Sequence, residues 1–206
     1  MSVASIRLLL VVCILSAAAL APCRAQDLES TLPGTIYHGP MLDVAVPDGT
    51  GWMTIDNGVQ GRLFERRGER RHTTIIASAT FFPLEPNLDD AGFEAQVRAD
   101  IAHQAAEDRF EPVESSVSYD ESRGYPCIVY AAVVRDTAAQ VGGDRTRDLI
   151  LEMRALYCRH PHDAALAFAL IYSHRGKQRD PAFAAAAEGF FAGAKPTPAI
   201  TPPLTE

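Results

Sequence analysis

The alternation of apolar and polar positions predicts a chain that is rich in β-strand. The run from residue 73 to 82, Thr-Thr-Ile-Ile-Ala-Ser-Ala-Thr-Phe-Phe, concentrates the β-branched and aromatic residues that favour strands, and Pro83 ends it. Similar runs of different lengths recur between polar and glycine-containing turns. We predict strands at 42–46, 51–55, 61–65, 73–82, 113–119, 124–134, 148–158 and 165–173.

Two segments have the periodicity of amphipathic helices. In the first, apolar residues recur every four positions from Phe93 to Ala105, after Asp89 or Asp90, either of which can cap the first turn. The second helix is predicted to start at Asp180-Pro181, because a capping residue followed by proline is a good helix start. Its apolar stripe consists of Phe183, Ala187, Phe190 and Phe191.

Two of the predicted strands indicate how the elements pack. The strands at 124–134 and 166–172 are apolar on both faces, which is typical of central strands in a sheet covered on both sides. We predict a single α+β domain at 41–194. Because two helices are available as covers, the predicted fold class is an α-β-α sandwich, a mostly antiparallel sheet of about six strands with helices on both faces. One disulfide is predicted to cross between strands. Residues 26–40 are predicted to be a leader or linker, and the proline-rich residues 195–206 a disordered tail.

The N-terminal segment has the pattern of a cleavable secretory signal peptide. Arg7 precedes the apolar run 8–20, which is shorter than the roughly 20 residues that span a bilayer. Small residues follow, and Cys23-Arg24-Ala25 offers a cleavage site after Ala25. We predict a signal peptide at 1–25 and a periplasmic or secreted mature chain without a transmembrane span. An uncleaved anchor and a lipoprotein acylated at Cys23 are the alternatives.

The mature chain is predicted to be acidic. Removal of Arg7 and Arg24 with the signal peptide changes the formal net charge from −7 to −9. An acidic chain disfavours nucleic acid as a partner, since nucleic acid rewards clustered positive charge. It also disfavours general binding to anionic membrane surfaces.

The two cysteines outside the signal peptide, Cys127 and Cys158, are predicted to form a disulfide. Both lie in predicted strands, and Gly142-Gly143 between them is a good turn dipeptide. The midpoint of the cysteines coincides with the midpoint of this dipeptide, so a symmetric hairpin places them opposite each other. Opposed residues lie about 4.5–5.5 Å apart at Cα, within reach of a disulfide. The alternatives are two free thiols or a redox pair, although the spacing is unlike a redox Cys-x-x-Cys motif.

The segment after Cys158 contains the best candidates for metal ligands. His160 and His162 alternate, so on a strand they would share a face and could converge on a metal ion. Pro161 separates them, however, and a hairpin turn is needed at 160–163. We therefore prefer a turn to a metal site and expect no cofactor.

One basic cluster stands out in the acidic chain. It spans residues 65–72, Glu-Arg-Arg-Gly-Glu-Arg-Arg-His, and is predicted to form a hairpin tip around Gly68. A solvated turn with internal Glu–Arg pairs is one interpretation. The functional interpretation is a contact with an anion or a partner. The arginines concerned are Arg66, Arg67, Arg70 and Arg71.

The sequence contains no motif that identifies a catalytic centre. Gly-x-Ser-x-Gly, His-Glu-x-x-His and the glycine-rich phosphate loop are all absent from it. His174 and Glu152 could meet across a hairpin, although such a pair is more often structural than catalytic. Our leading hypothesis is an exported, non-catalytic binding or accessory protein of the cell envelope with a protein partner. The alternative is a small-ligand carrier or an enzyme that uses a cleft beside the sheet.

The order of elements resembles that of the PsbP-like superfamily. The resemblance covers residues 41–194 and includes Pro47-Asp48-Gly49-Thr50-Gly51-Trp52, the hairpin strands, the long antiparallel strands and the closing Phe-rich helix at 181–194. It implies an α-β-α sandwich and an accessory or binding role. It carries over no functional residues, and a fold alone does not supply a function.

Overall fold

A computed structural model describes residues 29–56, 61–85, 87–104, 109–138, 140–141, 144–145 and 149–198. The predicted signal peptide at 1–25, the Gly142-Gly143 turn and the last part of the predicted tail, 199–206, lie outside the described residues. Within the described ranges the chain forms thirteen strands and two helices. The strands are β1 (Glu29–Thr31), β2 (Ile36–His38), β3 (Leu42–Ala45), β4 (Trp52–Asp56), β5 (Gly61–Arg67), β6 (Thr74–Pro83), β7 (Phe110–Asp120), β8 (Cys127–Asp136), β9 (Gln140–Val141), β10 (Asp144–Arg145), β11 (Leu149–Arg159), β12 (Leu166–Gly176) and β13 (Ala194–Pro196). The helices are α1 (Asp90–Gln104) and α2 (Phe183–Ala192).

Most strands belong to one large antiparallel sheet. Among the described residues it has eight strands, in the order β1-β4-β5-β6-β12-β11-β8-β7. β12, the last of these strands in the sequence, lies between β6 and β11 and pairs with both along nearly its whole length. A smaller sheet has the order β13-β3-β2, and β9 pairs with β10.

The large sheet has a hydrophobic core on each face. On one face, α2 and the smaller sheet pack against the large sheet around Trp52, Phe64, Phe168 and Phe190, all of which are buried. On the other face, Phe93, Val97 and Ile101 of α1 pack against Ile128, Tyr157 and Ala169. The central strands therefore bury both of their faces, as their sequence pattern predicts.

The predicted fold class is wrong. The sequence pattern indicated an α-β-α sandwich of about six strands with helices covering both faces. In the part of the chain that the structure describes, the large sheet has eight strands and the helices have only 15 and 10 residues. A helix is about 10 Å wide and strands lie about 4.8 Å apart, so one helix covers about two strands. The smaller sheet, which the sequence pattern did not predict, covers part of the face beside α2. The molecule is mostly antiparallel β-structure.

The differences between the predicted and the observed fold arise largely at the ends of the domain. The segment 26–40, predicted to be a leader, contains β1 and β2, which pair with β4 and β3. At the other end, β13 lies at the start of the predicted tail and pairs with β3. Strands of three residues contain too few positions to show a period of two, so hydrophobic alternation does not reveal them.

Both helices lie close to where their periodicity predicts them. The Oδ1 atom of Asp89 accepts a 2.7 Å hydrogen bond from the backbone N of Gly92 and caps α1. The apolar stripe predicted for α2 is buried from Phe183 to Phe191. The helix itself starts at Phe183 instead of Pro181, since residues 181 and 182 form a turn. Within the described ranges, neither helix has the length and apolar content needed to cross a membrane.

The disulfide prediction is confirmed. Cys127 lies directly opposite Cys158 in the β8–β11 pair, with a Cα–Cα distance of 4.1 Å, and the two are disulfide-bonded. The symmetric register inferred from the cysteine positions is therefore the register of the hairpin. The bond lies in the buried core on the α2 face of the sheet.

Candidate functional site

The basic cluster forms the tip of the β5–β6 hairpin. The backbone N of Gly68 donates a 3.0 Å hydrogen bond to the carbonyl of Thr73, which closes the turn. Arg67, Arg70 and Arg71 are exposed at this tip. The hairpin turn predicted around Gly68 is therefore present, and three of the four predicted arginines lie on its surface.

A second turn adds a further cation to this tip. β12 pairs with β6, so the turn between β12 and α2 lies beside the β5–β6 turn. Nη1 of Arg70 donates a 3.1 Å hydrogen bond to Oε1 of Gln178, which joins the two turns. Lys177 is exposed next to Gln178. We call the four residues Arg67, Arg70, Arg71 and Lys177 the tip patch. In the described part of the chain, none of the four forms an ion pair with a carboxylate.

Arg66 does not belong to this surface. It is half-buried, and its guanidinium carbon lies 4.9 Å from the centre of the Trp52 ring. Arg66 also acts on the neighbouring Tyr172. Burial raises the pKa of Tyr172, and the neighbouring positive charge and hydrogen bond of Arg66 offset part of that rise. Arg66 therefore packs partly against Trp52, and the exposed arginines of the cluster are Arg67, Arg70 and Arg71.

A buried carboxylate holds the second turn in place. His174 lies opposite Glu152 in the β11–β12 register, and both side chains are buried. Nδ1 of His174 donates to Oε2 of Glu152 over 3.2 Å, and the backbone N of Asp180 donates to the same oxygen over 2.7 Å. Nε of Arg179 donates to Oε1 over 3.2 Å. This network is the His174–Glu152 pairing suggested by the sequence, and it fixes the loop that carries Lys177.

Glu152 also affects the pKa of an exposed neighbour, Arg179. The hydrogen bond to Glu152, and secondarily the charge of Glu114, raise the pKa of Arg179. Nη1 of Arg179 donates a 3.0 Å hydrogen bond to Oε1 of Glu114 on β7. Arg179 is thus engaged by two carboxylates, which distinguishes it from the cations of the tip patch.

The structure places His160 and His162 at the turn between β11 and β12. The Nδ1 atom of His160 accepts a hydrogen bond from the backbone N of His162 over 3.3 Å. Its Nε2 atom therefore carries the proton and donates to the carbonyl of Met41 over 2.9 Å. Both ring nitrogens of His160 are engaged by the backbone, so this ring has no lone pair to offer a metal ion.

Sequence reasoning missed a second buried carboxylate. Asp136 at the end of β8 is fully buried and accepts two hydrogen bonds from Arg109, of 2.7 and 2.6 Å. Arg175 on β12 lies 3.5 Å from its Oδ2. Three segments meet at this one carboxylate, and no local pattern predicts their meeting because they are far apart in the chain. The bidentate geometry indicates a structural anchor.

The comparisons with known proteins assign no function to these features. Neither a comparison with protein-family models nor one with curated protein sequences gave a match. Among the side chains that the structure describes, no three His, Cys, Asp or Glu residues are grouped so that they could hold a metal ion. A proposal about function therefore rests on the geometry of this chain, and the tip patch is the surface feature that combines charge with exposure.

Proposed function

We propose that this chain is an exported, non-catalytic binding protein of the cell envelope, and that it holds an acidic segment of a partner protein against the tip patch. The observation that carries the proposal is the convergence of four exposed cations from two turns, without carboxylate partners among the described residues, in a chain with a formal net charge of −7. Export is proposed from the signal-peptide pattern at 1–25.

The contrast between local and overall charge favours a partner with a compact acidic segment. Charges are screened over about 8 Å at physiological ionic strength. A short segment at the tip therefore experiences mainly the four cations and the exposed carboxylate of Glu69 among them, a local formal charge of 4 − 1 = +3. A long polyanion, or a membrane surface, would also lie against the acidic remainder of the molecule. Complementary charge of this kind gives orientation and speed of association to a protein complex.

The support for the second turn makes the patch a defined surface. Lys177 lies on a loop whose end is hydrogen-bonded to buried Glu152, and Arg70 is joined to the same loop through Gln178. Two of the four cations are thus tied to the scaffold of β11 and β12. A surface that is already ordered loses less side-chain entropy on binding than a free tail of the same charge.

The proposal is tested by neutralising the patch. In the variant R67Q/R70Q/R71Q/K177Q, we expect the yield of a specific crosslinked envelope partner in intact cells to fall by about tenfold or more, because the complementary charges are lost. The crosslinked protein is recovered through an affinity tag and quantified by mass spectrometry. Binding of the purified wild-type protein to a short oligo-glutamate peptide should be saturable and weaken with added salt.

A matched variant removes the same charge elsewhere. R98Q/R123Q/R154Q/K195Q also replaces three arginines and one lysine, and it leaves the tip intact. It should retain the partner at the wild-type yield. Retention of the crosslinked partner by both variants would overturn the proposal. Loss of the partner in both variants would also overturn it, since net charge and not the tip patch would then govern binding.

A further inference from the structure

β7 forms one edge of the large sheet. Among the described residues, β8 pairs with one side of this strand and no strand pairs with its other side. Residues 111–116 are all exposed, so this part of the strand faces solvent. Unpaired N–H and C=O groups at a sheet edge are a template for another strand. β7 is therefore a surface to which a further strand can be added.

The pairing with β8 determines which backbone groups of β7 point outward. The backbone N of Thr137 donates a 3.1 Å hydrogen bond to the carbonyl of Arg109, and hydrogen-bonded pairs then recur at every second residue of β8. By this alternation, three residues of β7 direct their N–H and C=O groups away from β8. They are Ser115, Val117 and Tyr119.

Two further observations agree with this alternation. Pro112, which has no N–H group, falls at an outward position, where an edge strand tolerates proline. The carbonyl of Val117 accepts a 3.5 Å hydrogen bond from Nη2 of Arg98 on α1, outside the pairing with β8. This bond is long, and a carbonyl oxygen has two lone pairs, so Val117 can accept a second hydrogen bond.

β7 exposes apolar side chains as well as backbone groups. Val113 is 52% exposed and Tyr119 is 39% exposed. They are two of the four large apolar side chains that are exposed within the described ranges. On an unpaired edge, a β-branched and an aromatic side chain favour a partner strand that packs against them.

The charges of β7 favour a neutral partner strand. Glu111 lies 3.3 Å from Arg135, and Glu114 lies 3.0 Å from Arg179, so both carboxylates have cationic partners in the chain itself. Residues 115–119, Ser-Ser-Val-Ser-Tyr, have no charge. A strongly charged strand gains little from complementary charge here, whereas a second copy of this uncharged segment needs none.

We propose that β7 pairs with β7 of a second copy of this chain, so that the two large sheets join across a two-fold axis. A two-fold axis through this edge makes the two strands antiparallel. In the register centred on Ser116, Ser115 of each copy pairs with Val117 of the other through main-chain hydrogen bonds, four in total. The same register brings the exposed Val113 of each copy beside Tyr119 of the other and covers both.

Charge favours this register over the one centred on Val117. In that second register, Glu114 of each copy would lie opposite Asp120 of the other, and like charges directly opposite each other destabilise a strand pair. The register centred on Ser116 avoids this contact. Both registers pair outward-facing residues, so the carboxylates distinguish them.

The proposed interface is short and closed. Pro112 and the bulge between Pro112 and Glu114 interrupt a regular ladder on one side of the paired segment. β1, at the opposite edge of the large sheet, has only three residues, which disfavours the addition of further copies. A pair of such short segments belongs to the small, transient interfaces below about 1,200 Å², so we expect a dissociation constant of about 10–100 μM.

Analytical ultracentrifugation tests the dimer. With the purified chain and its disulfide intact, the average mass should rise toward twice that of the monomer between about 2 and 200 μM. In S116E, two carboxylates face each other at the two-fold axis, and the dissociation constant should rise about tenfold or more. S30E has the same substitution at an exposed position of β1 and should associate like the wild type.

A proline variant tests the main-chain pairing. Because the N–H of Ser115 points away from β8, S115P removes no hydrogen bond within one copy and two between the copies. It should raise the dissociation constant about tenfold or more. Circular dichroism checks that each variant is folded, and S116E remains informative if S115P is not.

Cysteine substitutions report the register. Opposed residues of a non-hydrogen-bonded pair lie about 4.5 Å apart at Cα, within reach of a disulfide. S116C should therefore form a disulfide-linked dimer under mild oxidation. The two copies of residue 118 are four residues apart along the paired strands, about 14 Å. S118C should therefore stay uncrosslinked, like the wild type.

Three results would contradict the proposal. A wild-type chain that stays monomeric up to about 200 μM would overturn the dimer. Equal association of S116E and S30E would show that β7 is not the interface. Faster crosslinking of S118C than of S116C would overturn the register. The tip patch lies outside β7, so the proposal for that surface and this one can fail separately.

Discussion

At the scale of single residues, position on a strand separates neighbours that look equivalent in the sequence. Arg66 and Arg67 are adjacent, but successive side chains on a strand point to opposite faces. Arg66 lies over Trp52, whereas Arg67 is exposed. Strand alternation could have predicted this separation once the hairpin was recognised. The presence of Lys177 in the tip patch could not be predicted, because it depends on the pairing of β12 with β6.

Glu152 provides the sharpest residue-level prediction. E152A removes the acceptor of three hydrogen bonds and leaves the buried His174 and the part-buried backbone N of Asp180 without this partner. We expect a loss of about 3–5 kcal/mol in the free energy of unfolding, as for other buried pairs from which one partner is removed. Urea denaturation followed by circular dichroism measures this loss.

The control for that variant is an exposed carboxylate on α2. Glu188 is paired with Arg154 at 2.7 Å but is 54% exposed. E188A should therefore change the free energy of unfolding by less than about 1 kcal/mol. If E152A were as mild as E188A, the Glu152 network would not hold the β12–α2 loop in the way proposed.

At the scale of elements, the β8–β11 hairpin shows how far local pattern can predict structure. Its strands are long enough for the pattern of apolar positions to be recognised in the sequence. The cysteine positions define a register that the structure confirms. The helix stripes of α1 and α2 are predicted equally well because they repeat over several turns. The start of α2 is displaced by two residues because Asp180 accepts a hydrogen bond from Ala182 and forms a turn first.

The disulfide across this hairpin is predicted to stabilise the fold. Replacing both cysteines, as in C127S/C158S, should lower the free energy of unfolding by about 3–4 kcal/mol, because the bond restricts the unfolded chain over a separation of 31 residues. Denaturation of the oxidised and the dithiothreitol-reduced protein measures the same quantity without a mutation. Labelling of free thiols in the unfolded, unreduced protein should detect none; two labelled thiols would contradict the structure.

At the scale of the whole molecule, the central position of β12 organises the fold. This strand joins the N-terminal hairpins to the β8–β11 hairpin and brings the two turns of the tip patch together. The same arrangement leaves β1 and β7 at the edges of the large sheet. The tip patch therefore depends on contacts between segments that are distant along the chain.

Hydrogen exchange should reveal this organisation. We expect the slowest backbone amides in β6, β8, β11 and β12, since these strands are hydrogen-bonded on both sides and carry much of the buried core. Amides of β1 and of the tip should exchange faster, and reduction of the disulfide should accelerate exchange first in β8 and β11. Mass-spectrometric measurement on the oxidised protein tests this order. Protection of β1 equal to that of β12 would contradict it.

The sequence by itself determined the long strands, the helix stripes, the hairpin turn at Gly68 and the Cys127–Cys158 bond, because each is encoded in periodicity or in spacing within one stretch of chain. Only the tertiary structure decided the number of strands in the large sheet, the smaller sheet and the place of Lys177 beside the arginines. These features arise from pairing between distant segments, and strands of three residues such as β1, β2 and β13 form only when a longer partner supplies their hydrogen bonds.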